Sequence, residues 1–158
     1  MKAALTPNAN RRDSLKQIAS LACLLACVGY SSFAEAAYNK AAFDSKSVNE
    51  AIKFQGAGSI SESKEVLLNA PDYAENGAAV ALAVSTAMAG VRKILILIEK
   101  NPASLAASFE VSEWIEANFS TRVKMSQTCD VYAVAIMADG RALFSKKEVK
   151  VTIGSCGA

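Results

Sequence analysis

The chain has 158 residues, of which 52% are hydrophobic, and a formal net charge of +2. This composition excludes an intrinsically disordered chain, because it supplies enough apolar side chains for the core of one domain. Histidine is absent, so the chain cannot by itself provide a Ser-His-Asp or Cys-His catalytic arrangement.

The first 36 residues are typical of an export signal. The pair Arg11-Arg12 precedes a short apolar stretch, residues 18–28, and a small-x-small sequence follows at residues 34–36. Paired arginines before a weakly apolar stretch resemble a twin-arginine signal. The stretch is too short to span a bilayer, so we expect residues 1–36 to be removed, with cleavage before Ala37.

Removal of the signal changes the charge of the domain that remains. It takes away four of the 17 basic and two of the 15 acidic residues and leaves 13 of each. A domain of about zero net charge has no basic excess to neutralise phosphates, which disfavours nucleic-acid binding. Two alternatives for this segment stay open: a retained basic tail, and a lipoprotein signal at residues 24–27.

One short helix is predicted after the signal. Residues 47–55 have apolar positions at amphipathic spacing, Ser47 can cap the helix, and Glu50 lies three residues further on. Gly56 ends the pattern. Residues 55–63 are rich in Gly and Ser and predict a loop.

The rest of the chain predicts short strands separated by turns. The strongest is residues 91–99, which are rich in β-branched side chains, and the apolar run 78–84 is expected to be buried. Asp139-Gly140 predicts a hairpin turn. The predicted strands are residues 65–69, 78–84, 91–99, 105–111, 120–125, 129–137, 141–145 and 147–153. This pattern favours an all-β, immunoglobulin-like antiparallel β-sandwich with a short N-terminal helix and a flexible C-terminal arm. Residues 78–84 and 91–99 are candidates for both core and partner surface.

The aromatic side chains are scattered along the chain, which favours positions in the core over a platform that stacks on bases or glycans. Glu113 and Glu116 are expected to face water in a loop. The aromatic residues after the signal are Tyr38, Phe43, Phe54, Tyr73, Phe109, Trp114, Phe119, Tyr132 and Phe144.

Two cysteines remain after the signal is removed, Cys129 and Cys156. Cys129 begins an apolar strand and is interpreted as a small buried hydrophobic residue. A Cys129–Cys156 disulfide is the alternative, because an exported protein meets an oxidising compartment. Two separated cysteines without histidine do not supply a zinc site, so no metal site is expected.

The chain ends in Gly154, Ser155, Cys156, Gly157 and Ala158, none with a side chain large enough to bury. The glycines in this segment leave the backbone free, and five extended residues reach about 16 Å. These residues can form a mobile arm that carries a thiol. A frayed end with an incidental or disulfide-bonded cysteine is an equally good explanation of the residues alone.

The sequence after the signal resembles the SoxY family, the Y-type subunit of the sulfur-oxidation (Sox) carrier complex of thiosulfate-oxidising bacteria. The resemblance covers nearly the whole of it, in the segments YNKAAF, APDYAENGA, EKNP, LAASFE, STRVKMSQT, VYAV and KKEVKVTIG. It implies a periplasmic sulfur carrier that is not an enzyme, with a signal over residues 1–36, an immunoglobulin-like carrier domain over 37–153 and a swinging arm over 154–158. Cys156 would hold sulfur intermediates covalently, as an S-thiosulfonate and a persulfide.

The resemblance also implies partners. A Z-type subunit would form a heterodimer with this chain, a haem c-type enzyme would couple thiosulfate to the thiol, and a dimanganese hydrolase would release sulfate. In some organisms a sulfur dehydrogenase follows. No cofactor in this chain, no nucleic acid and, after signal removal, no membrane is expected. An exported immunoglobulin-like structural domain with a Cys129–Cys156 disulfide is the alternative function.

The arm departs from the family's usual ending, Gly-Gly-Cys-Gly-Gly. Ser155 and Ala158 replace glycines, and each adds a Cβ that narrows the accessible backbone conformations. Both side chains are small, so we expect the arm still to enter partner pockets, with less conformational freedom.

Overall fold

The computed structural model describes residues 39–153, so the predicted signal and the arm residues 154–158 lie outside the described part. Two short helices precede nine strands in this range, and neither helix is long and apolar enough to cross a membrane. The helices are α1 (Lys40–Phe43) and α2 (Val48–Phe54). The strands are β1 (Ser59–Glu62), β2 (Leu67–Asn69), β3 (Tyr73–Asn76), β4 (Val80–Ser85), β5 (Val91–Ile98), β6 (Leu105–Glu110), β7 (Asn118–Val123), β8 (Cys129–Met137) and β9 (Arg141–Ile153).

The strands form two sheets that pack face to face as an immunoglobulin-like β-sandwich, which confirms the predicted fold class. The larger sheet has the order β1-β9-β8-β5-β6, with β3 also paired to β9, and the smaller sheet has the order β2-β4-β7. Alternate side chains of β5, Ile94, Ile96 and Ile98, point into the core between the sheets. Phe109 and Phe119 stack with ring centroids 4.5 Å apart and join the edge strands β6 and β7.

The helices cover the outer face of the larger sheet and create a second apolar layer. Leu95 and Leu97 of β5 and Val134 of β8 pack there with Ile52 of α2. The Ser47 hydroxyl accepts a hydrogen bond from the amide of Glu50, 3.2 Å away, so the predicted helix cap is confirmed. Strand β5 is buried on both faces, so its outer surface is not available to a partner subunit.

Two regions of backbone differ from the sequence-based expectation. The predicted strands 141–145 and 147–153 form one strand, β9, because its pairing with β8 continues without a break through Ser145, Lys146 and Lys147. Residues 59–62, predicted as loop, form β1, and β3 is a strand that the sequence pattern does not predict. Both β1 and β3 pair parallel to β9, so the sandwich is not wholly antiparallel.

The remaining predicted strands are present, with ends shifted by at most two residues. The run 78–84 is not buried throughout, because Val80, Leu82 and Val84 face the core while Ala81 is exposed. The prediction that the aromatic side chains lie in the core is also wrong for three of them. Three rings are largely exposed, because they lie at a helix end, on the edge strand β3 and in a loop: Phe54 at 51%, Tyr73 at 67% and Trp114 at 92%.

Candidate functional site

Strand β9 leads directly into the predicted arm, and it is held at both edges up to its last described residues. On one edge β3 runs parallel to it, with Asn76 opposite Ile153. On the other edge the amide of Val151 donates to the Thr128 hydroxyl over 2.9 Å, which continues the bonding past Cys129, the first residue of β8, whose register partner is Val149. The predicted site residues 154–158 lie outside the described residues, so the structure shows where the arm is attached.

Asn101 connects two loops at the end of the sandwich where β9 ends. Its Nδ2 donates to the carbonyl of Lys124 over 2.7 Å, and its Oδ1 accepts from the amide and hydroxyl of Ser126 over 3.0 and 3.1 Å. The amide of Met125 donates to the carbonyl of Gly77 over 2.7 Å. Asn101 therefore orders the loop that leads into β8 and contains Thr128.

We expect Asn101→Ala to lower the free energy of unfolding by about 1–2 kcal/mol, because it removes the three hydrogen bonds that join Asn101 to Lys124 and Ser126. Amide hydrogen exchange at Ser126 should accelerate, and urea unfolding measures the stability. Asn69→Ala is the matched control, since Asn69 is exposed and forms no side-chain hydrogen bond among residues 39–153. Equal exchange in both variants would show that Asn101 does not order this loop.

Two lysines in the middle of β9 form ion pairs with neighbouring carboxylates. Lys146 Nζ lies 2.8 Å from an Asp130 carboxylate oxygen, and Lys147 Nζ lies 2.9 Å from one of Asp72. The hydrogen bond to Asp130 raises the pKa of Lys146, and burial raises the pKa of Tyr132. Both groups keep their protons in the neutral range and cannot act as general bases there. Within residues 39–153, no three His, Cys, Asp or Glu side chains converge as metal ligands.

Cys129 is a free thiol with 4% of its surface exposed, and it lies in the core between the sheets. The interpretation as a small buried hydrophobic residue is confirmed. Burial raises the pKa of this thiol, which keeps it in the protonated form that is a poor nucleophile.

A thiol-alkylating reagent is expected to label one cysteine per native mature chain and two per unfolded chain. Cys129 is shielded by the core, whereas the arm cysteine is not part of any strand predicted from the sequence. Peptide mapping by mass spectrometry identifies the labelled residue. A Cys129→Ala variant should take one label in both states, and native labelling of Cys129 in the unaltered protein would contradict the shielding.

The opposite end of the sandwich carries a cavity of about 1100 Å³ between residues 86–90 and residues 111–117. Trp114 lies on its rim. The sequence analysis did not predict this cavity. Glu113 and Glu116 are exposed, as expected. These two acidic residues lie close to Trp114 in the sequence and indicate an exposed loop in which the indole has little to pack against.

Comparison with solved structures places this fold among known ones. A superoxide reductase (neelaredoxin) from Ignicoccus hospitalis, in a single-substitution form, matches with a TM-score of 0.51 and 16% identity, over 58% of this chain and 94% of that chain. At this identity the likeness shows the fold alone. No curated protein sequence matches.

A closer likeness is found to a sulfur carrier protein. The structure of SoxY from Chlorobium limicola f thiosulfatophilum matches with a TM-score of 0.61 and 33% identity, over 66% of this chain and 96% of that chain. The sequence profile of the family described as "Sulfur oxidation protein SoxY" matches residues 51–156. The chain therefore belongs to the SoxY family and is a sulfur carrier protein of sulfur oxidation.

Proposed function

We propose that this chain is a periplasmic carrier in thiosulfate oxidation and that Cys156 is the covalent attachment site for its sulfur intermediates. The observation that carries the proposal is the extent of the family match, which runs to residue 156 and so includes the terminal cysteine. The burial of Cys129 supports it, because that thiol has no access to a substrate. Of the two cysteines after the signal, only Cys156 is then left for this chemistry.

The proposed chemistry needs nothing from this chain except a thiol that can be reached. Loading joins the Cys156 sulfur to the outer sulfur of thiosulfate and releases one proton and two electrons, which a haem c-type partner accepts. Hydrolysis by a dimanganese partner then adds water, releases sulfate and leaves a persulfide on Cys156. In hosts that have a sulfur dehydrogenase, the persulfide sulfur is oxidised further.

The proposed arm connects this thiol to a well-anchored strand. Gly154 and Ser155 join Cys156 to Ile153, and Gly157 and Ala158 follow it. Three extended residues span about 10 Å, so the backbone of Cys156 stays within about 10 Å of the attachment point. A partner pocket must therefore open close to the end of β9, which makes the ordered loops there part of the surface that partners approach.

A Z-type subunit is the proposed heterodimer partner, and the twin-arginine-type signal over residues 1–36 is the proposed export route. The twin-arginine pathway carries folded proteins, so this domain would reach the periplasm with Cys129 already enclosed. The domain division into residues 1–36, 37–153 and 154–158 is part of the same proposal.

Intact-mass spectrometry of the exported protein tests the attachment site. In cells grown on thiosulfate, we expect species about 112 Da heavier for the S-thiosulfonate and about 32 Da heavier for each added sulfur, as calculated from atomic masses for exchange at a thiol. Fragmentation should place each addition on Cys156. Protein from cells grown without reduced sulfur is the control.

Three results would contradict the proposal. Additions that map to another residue would remove Cys156 from the role. A uniform Cys129–Cys156 disulfide, unaffected by growth on thiosulfate, would favour the structural-domain alternative. Additions of a different mass on Cys156 would retain the carrier and replace thiosulfate as its cargo.

A further inference from the structure

The turn that follows β3 contains the one asparagine of the chain that precedes a glycine, in the pair Asn76-Gly77. Asn76 is the last residue of β3, it is exposed, and it lies opposite Ile153, the residue to which the arm is attached. Glycine has no Cβ, so it leaves its main-chain nitrogen accessible to the side chain of the preceding residue. A chemical change at Asn76 would therefore take place at the base of the arm.

The Asn76 side chain is folded back along the Gly77 peptide. Its Oδ1 accepts a hydrogen bond from the amide of Ala78 over 2.8 Å, which closes an Asx turn whose ring contains the main-chain nitrogen of Gly77. The same hydrogen bond polarises the side-chain carbonyl, which makes its carbon Cγ a better target for a nucleophile. The turn thus holds an electrophilic carbon close to a nitrogen that could attack it.

The Gly77 nitrogen is free to react, although its peptide is held in place. Among the residues that the structure describes, none accepts a hydrogen bond from the Gly77 amide. The Gly77 carbonyl, in contrast, accepts from the amide of Met125 over 2.7 Å. The fold therefore fixes the position of this peptide without engaging its nitrogen.

The hairpin turn Asp139-Gly140 has a related sequence but lacks both features. The Gly140 amide donates to the carbonyl of Met137 over 3.0 Å, which engages the nitrogen. The Asp139 carboxylate accepts from the amide and the guanidinium of Arg141 over 3.0 and 2.7 Å, and these hydrogen bonds lower the pKa of Asp139. Asp139 is therefore ionised in the neutral range, and an ionised carboxylate is a poor electrophile, so we expect this turn to be chemically stable.

We propose that Asn76 is a site of spontaneous covalent modification at the base of the arm. The Gly77 nitrogen attacks Cγ of Asn76 and forms a C–N bond, and the bond from Cγ to Nδ2 breaks, so that Nδ2 leaves as ammonia with the proton of the Gly77 amide. Water then opens the resulting succinimide ring at either carbonyl and leaves aspartate or isoaspartate. The reaction needs no oxidant or enzyme, goes beyond the carrier function and does not depend on Cys156.

Both products change the attachment point of the arm. Each adds a negative charge opposite Ile153. Isoaspartate also routes the main chain through its Cβ, which lengthens the chain between β3 and Gly77. The Gly77 carbonyl then cannot keep its place at the Met125 amide while β3 keeps its register with β9. We therefore expect the isoaspartyl form to weaken the pairing of β3 with the end of β9.

Peptide mapping that separates isoaspartate from aspartate tests the site, after incubation of the native mature protein in mildly alkaline buffer. We expect conversion at Asn76 to be at least about tenfold faster than at Asn69, because Asn69 is also exposed but precedes an alanine. Asn76→Gln is the matched variant. It keeps an amide at this position and should stay unmodified, since its longer side chain must close a larger and less favourable ring. Asp139 should also stay unmodified in the native protein.

A urea-unfolded sample separates the contribution of the fold from that of the sequence. If the unfolded chain is converted at Asn76 while the native protein keeps its amide, the turn protects Asn76 and the proposal is overturned. Equal rates at Asn76 and Asn69 in the native protein would also overturn it. None of these results affects the sulfur additions on Cys156.

Amide hydrogen exchange tests the structural consequence. Exchange in residues 150–153, which pair with β3, should be faster in the purified isoaspartyl form than in Asn76→Asp. That variant adds the same charge without lengthening the main chain. Equal exchange in the two forms would show that the modification leaves the base of the arm intact, against the proposed loss of pairing.

Discussion

Replacement of Cys156 by serine is expected to reduce thiosulfate oxidation in a reconstituted system to the rate measured without the carrier. A hydroxyl cannot form the sulfur–sulfur bond that loading requires, so no intermediate is retained. The free energy of unfolding should change by less than about 0.5 kcal/mol, because residue 156 follows the last core strand. Oxygen uptake or cytochrome reduction measures the activity, and urea unfolding measures the stability.

Cys129→Ala is the matched control for this prediction. It removes the other thiol of the mature chain, which lies in the core with 4% of its surface exposed. Activity should persist with a modest loss of stability, because only a small buried group is removed. A Cys156→Ser variant that remains active, or a Cys129→Ala variant that folds and is inactive, would reassign the sulfur-bearing residue.

Ile96→Ala is expected to produce the largest loss of stability from a single truncation, about 2–5 kcal/mol. Ile96 is fully buried in the centre of β5, which is paired to β8 and β6 and covered on both faces. A loss of this size is a large share of the roughly 5–15 kcal/mol that typically separates folded from unfolded domains. Urea or thermal unfolding of the Cys156→Ser form measures it without disulfide formation.

Two further truncations test whether the loss of stability depends on burial and whether the helix layer unfolds together with the sandwich. Ile60→Ala on the edge strand β1, where the side chain is 36% exposed, should cost less than about 1 kcal/mol. Leu97→Ala should cost nearly as much as Ile96→Ala, because Leu97 is fully buried in the layer under the helices. If Leu97→Ala unfolded in two separate steps, the helix layer would not belong to the same cooperative unit as the sandwich.

The strands that can be predicted are those whose own side chains specify a sheet position. β5 and β8 are long apolar runs, and both ends of β8 are predicted correctly because Cys129 and Asp139-Gly140 bound it in the sequence. β1 and β3 are four residues each and mostly exposed, so their side chains carry no period of burial. They form strands because they pair with the edge of β9 that β8 does not occupy. This pairing is a tertiary contact, and neither segment's own sequence pattern predicts it.

The candidate site also has a part that the sequence predicts and a part that it does not. The sequence predicts Cys156 as the attachment site, because the family's motifs accompany small residues around a terminal thiol. The role of Asn101 at the base of β9 could not be predicted, since its partners Lys124 and Ser126 are more than 20 residues away. The cavity at the opposite end of the sandwich likewise combines β2 with the loops before β5 and β7, which only the folded chain brings together.

The double-sided pairing of β9 also has a mechanical consequence. A carrier whose terminal thiol is held in a partner's pocket is pulled by its C-terminus, along the axis of its last strand, when the two proteins separate. β9 is bonded to β8 along one edge and to β1 and β3 along the other, so such a pull loads many hydrogen bonds in shear at once and does not peel them off one by one. The strand that bears the load is thus the one that pairs with the most other strands. The arm can therefore be withdrawn from a partner's pocket without unfolding of the domain from its C-terminal end.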